Sequence, residues 1–161
     1  MKKIVRILAL ALILMTLAGC SGGTRTFTCR DLSMTIPRYL EDASGRSEFS
    51  AYTFTLDSDK LAVFGLQERV DEYPVLESYD LKAYMELVIK ANGYEESPVL
   101  RQGNENYYYF TYDYPMEEDT YRYMVATFRS GDGFWMVQLS APVGAFDEAA
   151  CLGYLDSVEI N

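Results

Sequence analysis

The chain contains no histidine. That absence removes Ser-His-Asp and Cys-His catalysis, zinc held by imidazole and haem held by a proximal histidine. Basic residues are scarce too: 14 against 24 acids, a formal net charge of -10. Such a chain lacks the positive footprint of nucleic-acid binding. Its three cysteines never form C-x-x-C, so thiol redox catalysis has no motif. Asp57-Ser58-Asp59 lacks the following glycine and distant glutamate of a calcium loop. Gly131 and Gly133 flank a hairpin aspartate and open no helix, which excludes a phosphate loop. We therefore expect no metal, no cofactor and no enzymatic role. Carboxylate hydrolysis is the remaining catalytic alternative, but nothing singles out two of the 24 acids for it.

What is present is apolar and aromatic. At 161 residues, 49% hydrophobic and 14% aromatic, the chain has the material for one well-packed domain. Its start reads as an address. Lys2, Lys3 and Arg6 precede Ile7–Ala18, twelve residues without a charge. That run matches a signal-peptide apolar region and falls short of the roughly 20 residues a spanning helix requires. Leu17-Ala18-Gly19-Cys20 then resembles a bacterial lipobox. The resemblance implies removal of residues 1–19 and acylation of Cys20. The implied location is the extracytoplasmic face of the cell membrane, or the outer membrane where the source has one. One acyl chain holds only marginally, and lipoprotein cysteines carry two or three. Processing takes three bases and no acid from the chain, so anionic headgroups repel the domain and it stands off the surface. Residues 20–26 are expected to form a flexible tether, and 27–161 a single domain. The negative charge opposes self-association and predicts a monomer.

Within 27–161, short alternating strands precede a helix. Asp80 or Ser78 caps its start, Leu81, Tyr84, Met85 and Val88 fall on one face, and Gly93 sits at its C-cap. Strands follow at Tyr107–Tyr114 and Tyr121–Arg129, joined through 115–120. A tight turn at Gly131-Asp132 leads into Phe134–Ser140, and a second helix spans about Gly144 to Asp156. Strands, helix, strands, helix predicts an α+β fold: an antiparallel sheet with helices packed on its faces. This order resembles the PsbP-like α/β/α sandwich shared by a photosystem subunit, a Ran-binding nuclear import factor and DcrB-like bacterial lipoproteins. Leu32-Ser33-Met34-Thr35-Ile36-Pro37, the helix from Asp80, Phe134-Trp135-Met136-Val137 and the closing Leu155–Ile160 carry the resemblance. It implies a fold and a location but no reaction, because members of that fold do unrelated things.

Seven of the 14 tyrosines lie between 107 and 123. Setting Tyr114 opposite Tyr121 also opposes Asp113 to Arg122 and Tyr112 to Tyr123, which favours that register. One face then collects Met124, Ala126, Phe128, Trp135, Val137 and Leu139 as core. The other collects the tyrosines, and its end near Tyr112, Tyr114, Tyr121, Tyr123 and Glu117-Glu118-Asp119 is the candidate partner-binding surface. Beyond the membrane Cys29 and Cys151 could be bridged, or they could be two separate buried thiols. The expected function is a lipid-anchored binding module for a protein, peptide or envelope component. The alternative is a small-ligand carrier with an apolar, tyrosine-lined pocket between helix and sheet.

The anchor is directly testable. Cys20→Ser should release the protein from the membrane fraction on cell fractionation, and continued partitioning into detergent would exclude a lipid anchor at Cys20.

Overall fold

The computed structural model describes residues 23–94, 98–116 and 119–161. The proposed signal segment, Cys20, Glu117 and Glu118 lie outside them. In chain order the elements are β1 (Thr24–Cys29), β2 (Leu32–Pro37), β3 (Glu41–Asp42), β4 (Phe54–Asp57), β5 (Ala62–Arg69), α1 (Leu81–Asn92), β6 (Arg101–Gln102), β7 (Tyr107–Met116), β8 (Asp119–Ser130), β9 (Gly133–Pro142), α2 (Glu148–Asp156) and β10 (Glu159–Ile160). Short 3-10 turns at Ser47–Phe49 and Pro74–Ser78 lead into β4 and α1. The fold is α+β with two antiparallel sheets. Seven strands run in the order β3-β4-β5-β9-β8-β7-β6 and three in the order β1-β2-β10.

Local chemistry sets the helix ends. The Asp80 carboxylate accepts from the Ala83 N–H at 2.8 Å, satisfying a donor that the first turn leaves free. Gly93, at φ 62°, closes α1 in the left-handed conformation that glycine adopts at least cost. α2 begins four residues later than the sequence pattern suggests. Asp147 caps it, accepting from Ala150 at 3.0 Å, and Gly144–Phe146 stay outside the helix.

The large sheet has unequal faces. Its inner face presents Met124, Ala126, Phe128, Trp135, Val137 and Leu139, each at most 2% exposed. Leu32, Met34 and Ile36 of β2 cover that face together with Cys151 and Leu155 of α2. A second sheet thus joins the helix on this side, where helices alone were expected. β10 was missed because a two-residue strand has no readable period. On the outer face α1 covers only part of the sheet: Tyr84, Met85 and Val88 pack on Phe110, Val125 and Phe134, with Leu76 alongside. Tyr84 stacks on Phe134, with ring centroids 4.1 Å apart.

Two boundaries differ from expectation. Residues 24–26 are not tether: Thr24, Arg25 and Thr26 pair with Pro37, Ile36 and Thr35, and Arg25 donates to the Leu40 carbonyl at 3.0 Å. The β7–β8 connection is shorter than 115–120, because Pro115 pairs with Thr120 and Met116 with Asp119. Asp119 therefore belongs to β8 and not to a connecting loop.

Trp135 is fully buried beside Phe54, and its indole N–H donates to Asp31 at 2.8 Å. Trp135→Ala should cost about 3–5 kcal/mol in chemical denaturation. Trp135→Phe, which puts a smaller ring in the indole's place and loses the donor, should cost less, about 1–3 kcal/mol. A loss below about 1 kcal/mol for the alanine variant would contradict the packing described.

Candidate partner-docking surface

The β7–β8 register opposes Tyr112 to Tyr123, Asp113 to Arg122 and Tyr114 to Tyr121. β8 in turn pairs with β9 through Tyr123–Ser140 and Tyr121–Pro142. Because side chains alternate across a strand, Tyr112, Tyr114, Met116, Asp119, Tyr121 and Tyr123 all fall on the outer face. Tyr112 packs at the rim of the cluster beneath α1, Tyr121 and Tyr123 are half-buried, and Tyr114, Met116 and Asp119 are exposed.

This end of the sheet is ordered by aromatic contacts. Tyr112 and Tyr123 stack with centroids 5.0 Å apart and planes 10° from parallel. Tyr94, just beyond the C-cap of α1, packs against Tyr112 at 4.7 Å and Phe110 at 5.5 Å. Tyr123 Oη donates to the Met116 sulfur at 3.4 Å. Burial pushes the Tyr112 phenol up, and neighbouring Tyr94 adds to the effect. Burial also raises Tyr123, with Tyr52, Tyr121 and Tyr114 contributing. Toward the tip the surface opens, with Tyr114 56% and Met116 45% exposed. On the opposite face Arg122 grips Asp113 through two bonds of 2.7 and 2.8 Å, holding the Asp113 carboxyl below its usual range. Tyr112, Tyr114, Tyr121 and Tyr123 are thus brought together, with Asp119 exposed at the strand end beside them.

Sequence reasoning missed the rest of the aromatic surface. Phe64 of β5 contacts Tyr52 at 4.9 Å and Phe49 at 5.7 Å, and Tyr52 lies near enough to Tyr112 and Tyr123 to raise both phenols. The available signal was the alternation of β5, where Val63, Gly65 and Gln67 are buried while Phe64 and Leu66 are only half-buried. No local pattern could bring Tyr52 to Tyr112, sixty residues later.

The remaining candidates are less suited to chemistry. Cys29 and Cys151 are free thiols. Burial pushes Cys151 up to about 12, with Asp147 and Glu148 adding to the shift, so it is a poor nucleophile at neutral pH. Among the described residues no three histidine, cysteine, aspartate or glutamate side chains gather as metal ligands, and no helix is long and apolar enough to cross a membrane. A cleft of about 490 Å³ at the end of α1 is lined by Ile89, Gly93, Tyr94, Pro98 and Leu100, and one of about 200 Å³ beside α2 by Tyr39, Lys60, Leu61, Cys151 and Tyr154. Tyr112, Tyr114, Tyr121 and Tyr123 line neither.

Fold and surface together define an antiparallel α+β domain with one covered face and one half-open aromatic face. No family model matches the chain, and no curated protein matches it. A solved structure from Bacteroides thetaiotaomicron VPI-5482 is similar, with a TM-score of 0.56 and 11% sequence identity over 87% of this chain and 49% of that one. The chain thus spans about half the length of that structure. At this identity the likeness is one of fold alone.

The buried phenols make stability pH-dependent. Tyr84, Tyr107 and Tyr112 are all raised well above 10, chiefly by burial. In the unfolded chain they ionise near about 10, so the unfolded state binds fewer protons above that pH. Their contribution is complete below about pH 10 and is lost as pH rises toward the folded values. Denaturation midpoints should fall between pH 9 and about pH 11, and tyrosinate absorbance should show these phenols ionising only on unfolding. A midpoint flat across that window would contradict the assignment.

Proposed function

We propose that this protein is a lipid-anchored, extracytoplasmic binding module of the bacterial envelope, and that it docks a partner on the open aromatic end of its outer sheet face. The observation that carries the reading is the stacked Tyr112–Tyr123 pair beside exposed Tyr114 and Met116, at an end of the sheet that α1 leaves uncovered. Rigid aromatics with polar tips are favoured in interface cores, and rings already held by a neighbour lose little side-chain entropy on binding. Glu117, Glu118 and Asp119 follow in the sequence and favour encounter with a basic partner. The lipobox-like Leu17–Cys20 supports the anchor. The PsbP-like assignment draws support from a central antiparallel sheet with α1 on one face and α2 on the other.

The carrier alternative has less support. Tyr84, Met85 and Val88 fill the space between α1 and the sheet, each at most 8% exposed, so the apolar pocket it needs is occupied by side chains.

The test is capture from the envelope fraction with the full chain in neutral detergent, followed by single substitutions in the captured complex. Tyr114→Ala and Tyr121→Ala should keep the fold, and at least one should weaken binding by about 2 kcal/mol or more. If both variants bind as tightly as the parent, docking does not use this surface.

A further inference from the structure

We propose that the open edge of β7 is a strand-addition site, and that its occupant is an extended, basic segment of a partner protein. The proposal deepens the docking reading and rests on it, since it concerns the same hairpin arm.

In an antiparallel ladder, successive residues turn their N–H and C=O groups to opposite sides. The tight turn at Gly131-Asp132 makes Ser130–Gly133 the closing bonded pair. Even-numbered residues of β8 therefore bond toward β9, and odd-numbered ones toward β7. Through the register, Tyr112, Tyr114 and Met116 turn their backbone groups to β8, while Tyr109, Thr111, Asp113 and Pro115 turn theirs away. An independent bond agrees: Gly103 N–H donates to the Tyr107 carbonyl at 3.1 Å on that far side. β6 pairs with Tyr108 and Tyr109 only. Among the described residues no strand pairs with Thr111–Met116 there, so both backbone groups of Thr111 and Asp113 face outward. Pro115 occupies the next outward position. It costs the protein's own ladder no hydrogen bond, and it stops an added strand from running on to the tip.

Charge selects the occupant. The chain carries 24 acids against 14 bases, and on the arm Arg122 is held by both oxygens of Asp113 while Asp119 stays exposed. A second copy pairing edge to edge would bring together two chains of net charge -10. A lysine- or arginine-bearing strand is instead drawn to the net negative chain, with the face of exposed Tyr114 beside the edge available to its cations. Backbone bonds would then supply affinity, and the alternating side chains specificity.

The probe is a short labelled peptide of alternating lysine and valine, followed by anisotropy against the full chain in neutral detergent. It should bind, weaken with salt, and outcompete the glutamate–valine counterpart by about tenfold or more. In an added edge strand only alternate peptide N–H groups face β7. Methylating one alternate set of peptide nitrogens should therefore weaken binding about tenfold or more, and methylating the other set should change it little. Thr111→Pro removes an outward N–H and should reproduce the loss; if that variant fails to fold, the methylated peptides decide. The proposal is overturned by no binding at about 1 mM, the weak end of recognition, by equal binding of the acidic peptide, or by indifference to both methylated sets. A stable dimer abolished by Thr111→Pro would also overturn it, since a second copy would then hold the edge. If Tyr114→Ala or Tyr121→Ala weakens binding while both methylated peptides bind normally, strand addition fails and the docking reading stands. If none of these changes weakens binding, both fail.

Discussion

The buried indole of Trp135 needs an acceptor, and the arrangement of the two sheets follows from where it finds one. Trp135 lies near the start of β9, the middle strand of the large sheet, with no exposed surface. A buried N–H without a partner costs about 1–3 kcal/mol. Asp31, in the turn between β1 and β2, supplies the oxygen at 2.8 Å, and the same oxygen accepts from Gln67 at 3.1 Å. Arg30 donates to Gln67 at 2.6 Å, and Asn161 N–H donates to the Asp31 carbonyl at 2.8 Å. Asp31 therefore ties the middle of the large sheet to the hairpin of the small sheet through its carboxylate, and the last residue to that hairpin through its backbone carbonyl. The tightness of that turn is visible in Arg30, which adopts φ 54°.

That tie makes the two faces of the large sheet unequal. With β2 and α2 docked over it, the inner face is sealed. Among the described residues α1 is the one helix on the outer face, and its twelve residues cannot span seven strands. The uncovered end is built from tyrosines, which can pack on one another and still present a hydroxyl to water. The same residues thus serve stability and docking. Tyr112 is held by Tyr94 and Tyr123, whereas Tyr114, one step nearer the tip, stands largely free. Order at the base and exposure at the tip suit a binding surface better than a cavity.

The extent of the hairpin arm depends on Pro115. In a central strand it would remove a ladder bond, but here its missing N–H points to the unpaired side, so β7 and β8 run on to Met116 and Asp119. A proline beside three acids reads naturally as a loop. The opposite conclusion required knowing which side of β7 is an edge, and that depends on β6 ending after two residues.

Much of the local structure was legible in the sequence because it depends on near neighbours. Asp80 and Gly93 bracket α1, the Gly131-Asp132 turn sets the β8–β9 pairing, and Asp113 opposite Arg122 chooses the β7–β8 register; with those pairings set, alternation alone assigns Trp135 to the core and the tyrosines to the other face. The second sheet was not legible. β1 starts at Thr24 only because Thr35–Pro37 lie beside it, and β10 is two residues long and exists only as a partner of β2. Nor was the approach of Tyr52 to Tyr112 and Tyr123, sixty and more residues further along the chain. The sequence by itself determined which residues face together along each hairpin, since that follows from a period of two and a turn. Tertiary structure decided which face is sealed, which is open and which edge is left without a partner, because those outcomes depend on contacts between segments far apart in the chain.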